Sequence, residues 1–514
     1  MSKRVAIVGS GCAGLGALWA LNTSTSHEVH LFEATSRLGG HTKCISYEGP
    51  NGQTIQVDAG LLVINNNNNA TSPNFIRFLQ ELGVPLKKTA VTFGVSRDQG
   101  AFEWSWTSWL SVFAQRRNVF RLDMWKLVFE VIRFKEFALD LLKDDDGEDD
   151  PITQEIQQKR IQHRSHERIG EYLDRENYSQ EFRDNYLIPM VAAILGTNLV
   201  RCILDLPAVT VVRSMYNQHM LNMTPKSSDW WTIPGGSGRY IEAVVKDVPD
   251  NRIHLDSKVT SLTPGENGIV GLRANGKDHA FDHVIVATQC EQALEILQPI
   301  ISREESDILK GFRTDRVVAV LHSDLTLMPK RQQAWSSLNF ISESPFPPTR
   351  SKNVSRGCLT YWMNVLQELP ESQLGPILIT LNPLHMPDPR LAQGIWEYSL
   401  PLFDAAAIKS QKLLSKIQNT KGISYCGAWT KSGFHEDGFS SGLSVAIGHL
   451  GANLPFDCVD PRLSGAKKPM LTLKNYLLRL VILLVQIMVL LAERACLRMA
   501  AEIDKRIASR RKTA

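Results

Sequence analysis

The stretch VAIVGSGCAGLGALWAL, Val5–Leu21, decides how this chain is read. Its apolar opening fits a strand buried on both faces, its glycines a tight turn, and the apolar run beyond them a helix. That order is the context in which a GxGxxG spacing has physical meaning. Gly9 permits the turn, and Gly11 removes a side chain where a pyrophosphate must approach. Gly14 lets helix and strand pack closely, while the helix N-terminus offers N–H groups to phosphate. The next strand pattern, HEVHLFEA, ends at Glu33, 22 residues after Gly11. A carboxylate there can accept hydrogen bonds from ribose hydroxyls. The expected ligand class is a dinucleotide and the expected fold class is α/β.

With 514 residues, the chain exceeds one ordinary core, so two domains and an appendage are expected. Charge is nearly balanced, 57 Lys and Arg against 53 Asp and Glu, and no long basic block precedes the C-terminal segment. No nucleic-acid surface is expected. The eight cysteines are scattered without CxxC or zinc spacing, which favours reduced thiols in the cytosol and no structural metal site. A strand pattern beginning at Val5 leaves no room for a cleavable signal peptide, so the catalytic part is expected to face the cytosol.

SRLGGHT, Ser36–Thr42, resembles the second glycine motif of the FAD-binding amine oxidase superfamily. The resemblance implies FAD rather than NAD. Arg37 would place a cation beside the diphosphate, and Gly39 and Gly40 permit close backbone approach. VDAG (Val57–Gly60), VTSL (Val259–Leu262) and FDHVIVAT (Phe281–Thr288) are similar to further pieces of one discontinuous Rossmann-type FAD domain. Gly60 thereby becomes a candidate cofactor-side residue. In such flavoproteins the residue matching Val259 contacts adenine through its backbone; an ordinary strand residue is the equal alternative.

SPNF (Ser72–Phe75), LHSDLTLMPKRQQAW (Leu321–Trp335), LTYWMNVLQ (Leu359–Gln367), ITLNP (Ile379–Pro383) and CGAWTKSGFHEDGFSSGLSVA (Cys426–Ala446) sharpen the likeness. Together they resemble a branch of predicted NAD/FAD-binding, amine-oxidase-like proteins, some linked to modification of unsaturated or methyl-branched acyl chains. The likeness covers about residues 4–450. It specifies the cofactor and leaves the substrate open.

The last of these segments resembles the superfamily's final FAD motif, in which a glycine-rich turn brings a helix N-terminus against the flavin, where N–H groups stabilise negative charge. The resemblance implies that Gly427 packs by the cofactor, that Glu436 or Asp437 meets the ribityl-phosphate region, and that Gly438 and Phe439 approach the ring. Phe434 falls where amine oxidases often carry a tyrosine. His435 is then the nearest candidate acid/base, with a pKa suited to the task; hydrogen bonding within the loop is the alternative. Neighbouring residues along a chain seldom converge on one ion, so no metal site is expected at His435, Glu436 and Asp437.

The resulting architecture is an α/β fold with an α+β substrate domain and a helical cap. The FAD-binding domain would take residues 1–85, 235–300 and 415–460, the substrate and cap domain 86–234 and 301–414, and a tail 461–514. In the cap, Trp104, Trp106, Trp109, Phe113 and Trp125 either pack internally or line an apolar entrance or membrane surface, with Arg116, Arg117 and Arg133 near headgroups. WWTIPGGSGRY, Trp230–Tyr240, reads as the crossing back to the FAD domain. KDDDGEDD (Lys143–Asp150) and His163 and His166 read as exposed or solvated segments, and the asparagine run Asn65–Asn69 as a low-complexity loop insertion that edges the active site without doing chemistry.

YLLRLVILLVQIMVLLA, Tyr476–Ala492, is almost wholly apolar. It reads as a short membrane anchor with Arg479 snorkelling to the interface, as a helix in the membrane plane, or as a terminal core helix. Flanking Lys467, Lys468, Lys474, Arg494, Arg498, Lys505 and Arg506 suit anionic lipid.

Amine oxidases commonly carry a lysine on a substrate-domain strand. The apparent counterpart, RVVAVLHSD, has none; His322 is the alternative polar group and Lys330 follows in a loop. The leading expectation is therefore an FAD oxidoreductase that removes hydride from a lipophilic substrate at a membrane, desaturating or isomerising an acyl or isoprenoid chain. The alternatives are oxygen-dependent amine oxidation and a lipid- or protein-binding module related to GDP dissociation inhibitors.

Overall fold

In the computed structural model, residues 2–60, 62–65, 71–142, 167–195, 203–221, 230–265, 268–344, 356–460, 471–489 and 491 are described. KDDDGEDD, His163, His166, most of the asparagine run and the basic residues flanking the tail, Lys474 excepted, lie outside them.

Arg4–Val8 is the middle strand of a five-stranded parallel sheet, in the order Ile253–His254, Glu28–Phe32, Arg4–Val8, His283–Val286, Ile423–Tyr425. Strand side chains alternate between faces, and here the alternation feeds two cores. Val5 and Ile7 join the core made with the opening helix Cys12–Ser24 and the closing helix His435–Leu450. Ala6 and Val8 face the opposite core, built on a three-stranded antiparallel sheet containing Val259, Leu262 and Leu272. Burial on both sides is why this strand is continuously apolar.

The second large sheet has seven strands, in the order Ala392–Leu402, Arg313–His322, Leu378–Leu381, Arg356–Trp362, Leu338–Glu343, Phe93–Arg97, Phe102–Ser105. Its strands are interleaved along the sequence with those of the first. Tyr398 on its outermost strand donates to the carbonyl of Ala59 at 2.6 Å, tying it to the end of the two-stranded sheet Cys44–Glu48 and Thr54–Asp58.

The helical cap packs on this sheet around Phe134, Phe182 and Tyr186. It sorts the aromatic segment that the sequence left open. Trp104 is core and donates to the Asn185 carbonyl at 3.0 Å. Trp106 lies 4.8 Å from the buried Lys135 ammonium, whose pKa burial pushes down to about 7. Arg133 is buried over Tyr178 at 4.0 Å and is not a headgroup contact. Trp109 and Trp125 are exposed.

Residues 473–489 are helical. Among the described residues no helix is long and apolar enough to cross a membrane, so the transmembrane reading of 476–492 finds no support. Arg479 does not snorkel. It is buried, donating to both carboxylate oxygens of Asp140 at 2.9 and 3.1 Å and to the Glu136 carbonyl. Asn475 donates to the Glu136 carboxylate at 3.2 Å. A cation removed from water needs such partners, and here they belong to the cap, so the tail helix lies against the protein.

Candidate functional site

The glycine turn after the first strand opens a cavity of about 780 Å³. Gly9 has φ +102° and donates to the Phe32 carbonyl at 2.8 Å, and a Cβ there would lie 2.9 Å from the Ala287 oxygen. A Cβ on Gly14 would lie 2.0 Å from the Gly9 oxygen, so helix and turn touch backbone to backbone. Gly11 differs. It caps the opening helix with an ordinary φ of −62° and a Cβ on it would meet nothing within 4 Å, because that direction is the open cavity. The first-turn amides of the helix beside it have no partner within the helix.

Glu33 lines the same cavity and holds the turn in place. One carboxylate oxygen accepts from Ser10 N and Oγ at 3.0 and 2.6 Å, the other from Thr35 N and Oγ1 at 3.0 and 2.9 Å. These four bonds use the acceptor capacity of a carboxylate. A ribose hydroxyl would reach it by sharing or replacing the Ser10 and Thr35 hydroxyls.

Gly39 and Gly40 also line the cavity, and Gly39 N donates to Ser10 Oγ at 3.1 Å, stacking the second glycine motif on the first. Arg37 is not among the lining residues; its guanidinium donates to the carbonyls of Leu38, Gly40 and Thr42 at 3.3, 2.7 and 3.2 Å, bracing the loop. Gly60 is likewise off the cavity, and a Cβ there would lie 1.8 Å from the His41 oxygen. Val259 lines it from the antiparallel sheet.

At the other end stand Gly427, Ala428, Trp429 and His435. Gly427 N donates to Ser441 Oγ at 2.8 Å, fixing the turn to the closing helix. His435 Nε2 lies 3.5 Å from Tyr240 Oη, whose hydroxyl donates to Thr42 Oγ1 at 3.2 Å, and its ring sits edge-on to Phe75. Burial pushes the imidazole down to about 3. It is therefore neutral at ordinary pH, which corrects the expectation of a pKa suited to acid/base work.

Glu436, Asp437 and Gly438 do not line the cavity. Glu436 is buried and accepts from Asn74 N, Asn74 Nδ2, Phe75 N and Ser440 Oγ at 3.2, 2.9, 2.9 and 2.6 Å. It clamps the start of helix Pro73–Glu81 onto the closing helix. Asp437 accepts from Phe434 N at 3.1 Å as an N-terminal cap, and a Cβ on Gly438 would lie 2.6 Å from Cys12 Sγ. His322 is also remote: Thr380 Oγ1 at 2.7 Å and Asp324 N at 3.1 Å engage its two nitrogens. Lys330 is exposed. Among the described residues no cluster of His, Cys, Asp and Glu has metal-ligand geometry.

Burial pushes the Glu436 carboxyl up from the ordinary 4.5 to about 7. Between those values the folded state holds the proton more tightly than the unfolded chain, so stability falls as pH rises through the window. Glu436→Gln cannot titrate. The stability difference between wild type and this variant is expected to shrink from pH 4.5 to 7, read as thermal midpoints across that range; a constant difference would show ordinary titration.

Sequence reasoning missed Gln289, which lines the cavity just beyond FDHVIVAT. Its Nε2 donates to the Ser399 carbonyl at 3.3 Å, while its buried Oε1 has no partner in the protein. Its position at the end of a parallel strand was the available signal. An orphaned acceptor, an open glycine cradle and helix N-termini at both ends fit a dinucleotide with a diphosphate and a polar ring system.

A family model described as flavin-containing amine oxidoreductase matches residues 12–321, more than half of the chain. No curated protein matches the sequence. Among solved structures, the chain is similar to a CLA-producing fatty acid isomerase from P. acnes, with TM-score 0.57, 13% identity, and coverage of 87% of this chain and 98% of that one. Cyclohexylamine oxidase from Brevibacterium oxydans IH-35A gives TM-score 0.59, 14% identity, 87% and 98%. A putative protoporphyrinogen oxidase from Exiguobacterium sp. 255-15 gives 0.54, 14%, 87% and 98%. At these identities the likeness is one of fold. The family match and the cavity together make the chain an FAD-dependent oxidoreductase belonging to the flavin-containing amine oxidoreductase family.

Proposed function

We propose that the enzyme removes hydride from a lipophilic substrate at a membrane, desaturating or isomerising an acyl or isoprenoid chain, with its catalytic lobes on the cytosolic face. The observation that carries this reading is the closing-helix end of the cavity. Gly427, Ala428, Trp429 and His435 form it, with no carboxylate among them, and its imidazole is held neutral, while Glu33, Glu291, Glu295 and Glu397 line the cavity from other elements. A cationic amine gains little from such a surface, whereas an uncharged C–H substrate is not penalised by it.

FAD bound here supplies the hydride acceptor. Glycines 9, 11, 39 and 40, Glu33 and Val259 would hold its nucleotide and diphosphate, and the turn at Gly427 its ring end. Neutral His435, steadied by Tyr240, would orient substrate or ring by hydrogen bonding, with Ala428 and Trp429 as the apolar surface beside it. Desaturation would pass a hydride to the bound flavin and a proton to water at the cavity mouth, whereas isomerisation would leave the flavin's redox state unchanged overall. The fatty acid isomerase among the structural neighbours fits this reading, as a fold mate with an acyl substrate.

The test is anaerobic mixing of the purified holoenzyme with dispersed acyl and isoprenoid lipids, and separately with soluble amines. Lasting bleaching of the flavin by a lipid is expected for desaturation, and a shifted double bond in the recovered lipid without lasting bleaching for isomerisation. Bleaching by an amine alone, with peroxide formed on readmitting oxygen, would replace this reading with amine oxidation.

A further inference from the structure

The segment from Ser108 to Lys126 reverses the ordinary distribution of side chains. Its polar residues point inward: Ser111, Gln115 and Asn118 are buried. Ser108 and Ser111 form a capping box, Gln115 Nε2 donates to the carbonyls of Gly100 and Ala101 at 3.0 Å each, and Asn118 Nδ2 donates to Gln115 Oε1 at 3.0 Å. Val112 and Met124 pack inward, but four large apolar residues point outward: Phe120 is 90% exposed, Leu122 85%, Leu110 79% and Trp109 65%. These side chains do not flop singly. Trp109 stacks on Phe113, Phe113 meets Trp125 at 5.1 Å, and Trp125 Nε1 donates to the Val119 carbonyl at 2.8 Å. Buried hydrogen bonds thus hold several large apolar side chains of one short segment in water, a concentration that soluble proteins rarely keep without an occupant.

The charges around it name the occupant. Arg116, Arg117, Arg121 and Lys126 are exposed within the same segment, and its one acidic residue, Asp123, is 3.3 Å from Arg121. Aromatic and aliphatic side chains at the tip with cations beside them match the boundary between acyl chains and anionic headgroups. We infer that Ser108–Lys126 is a docking wedge that seats the helical cap on an anionic lipid bilayer. The inference deepens the lipophilic-substrate reading and rests on it for the wedge's purpose.

A second apolar element sits on the same support. The cap helix Leu122–Phe137 begins at the wedge and is 16 residues long, hence about 24 Å. Just beyond its other end Arg479 binds Asp140, and the tail helix there leaves Leu477, Leu480 and Leu484 exposed. One weak insertion gives reversible membrane binding, and two give stable anchoring. The wedge and the tail are those two contacts.

The test is flotation of the full-length holoenzyme with phosphatidylcholine vesicles, with and without phosphatidylserine. Wild type is expected to float with the anionic vesicles. The double variant Phe120→Glu, Leu122→Glu, folded by its flavin spectrum and thermal midpoint, is expected to lose about tenfold or more in partitioning. Arg116→Gln with Arg117→Gln is expected to weaken the preference for phosphatidylserine. Wild type left in the pellet, variants floating like wild type, or a solution dimer that the acidic variant dissolves would each overturn the wedge. Flavin reduction by detergent-dispersed lipid is scored separately, because it needs no bilayer. A wedge that fails leaves that result intact, and failure of the substrate reading leaves flotation intact.

Discussion

Gly11→Val is expected to purify folded and without flavin. The backbone at Gly11 has φ −62°, which valine adopts, and a Cβ there meets nothing within 4 Å. The protein alone therefore has no reason to reject the side chain. The cofactor does, because the isopropyl group would occupy the space in front of the opening helix's unpaired amides. Loss of two hydrogen bonds to the diphosphate at about 1.5 kcal/mol each corresponds to about a hundredfold weaker FAD binding. Flavin-to-protein absorbance and the thermal midpoint of the apoprotein check the two halves separately. A yellow, fully loaded variant would show that the diphosphate does not lie at this turn. Gly14→Ala is the contrasting case, since its new carbon would lie 2.0 Å from the Gly9 oxygen and strain the fold itself.

That contrast explains why the glycine turn was legible in the sequence. Gly9, Gly11, Gly14 and Glu33 act through local geometry, and the spacing of a strand, a turn and a helix is written in consecutive residues. Glu436 was not legible in the same way. Two acids at a helix start suit a dipole, a cofactor or a cap equally, and its actual partners, Asn74 and Phe75, lie 362 and 361 residues away. SPNF was recognisable as a motif, but the carboxylate that holds its amides was not. His435 was found by position, yet its pKa depends on burial, which no neighbouring residue in the chain reveals.

The cap and tail show the same limit from the packing side. Trp104 and Trp109 stand five positions apart in one aromatic run, and the first is core while the second is exposed. Composition marks such a run as amphipathic without assigning its members. Arg479 in an apolar helix suggested an interface, but Asp140 and the Glu136 carbonyl claim it. An ion pair formed across 339 residues is a tertiary fact.

Gly442→Ala should have the largest effect of any single methyl group in the closing helix. A Cβ there would lie 2.0 Å from the Ala13 oxygen, 2.9 Å from the Ala13 carbonyl carbon and 3.1 Å from Ala17 N, all backbone of the opening helix. No rotamer relieves a backbone clash, so the two helices must separate by more than an ångström. Gly16 cannot compensate, because its own Cβ position is 2.9 Å from Phe439. Overpacking of this kind costs about 3 kcal/mol or more when the neighbours are rigid. The displacement also moves His435 and releases the Glu436 clamp, so flavin occupancy should fall together with the thermal midpoint, whereas Gly11→Val lowers occupancy alone. Gly448→Ala, six residues along the same helix and with nothing within 4 Å of its Cβ, is the control. It should raise stability by about 0.5–1 kcal/mol, the usual gain from replacing a mid-helix glycine. If the two variants behave alike, the closing helix does not depend on close contact with the opening helix, and its glycines do not set the cavity end at Gly427 and His435.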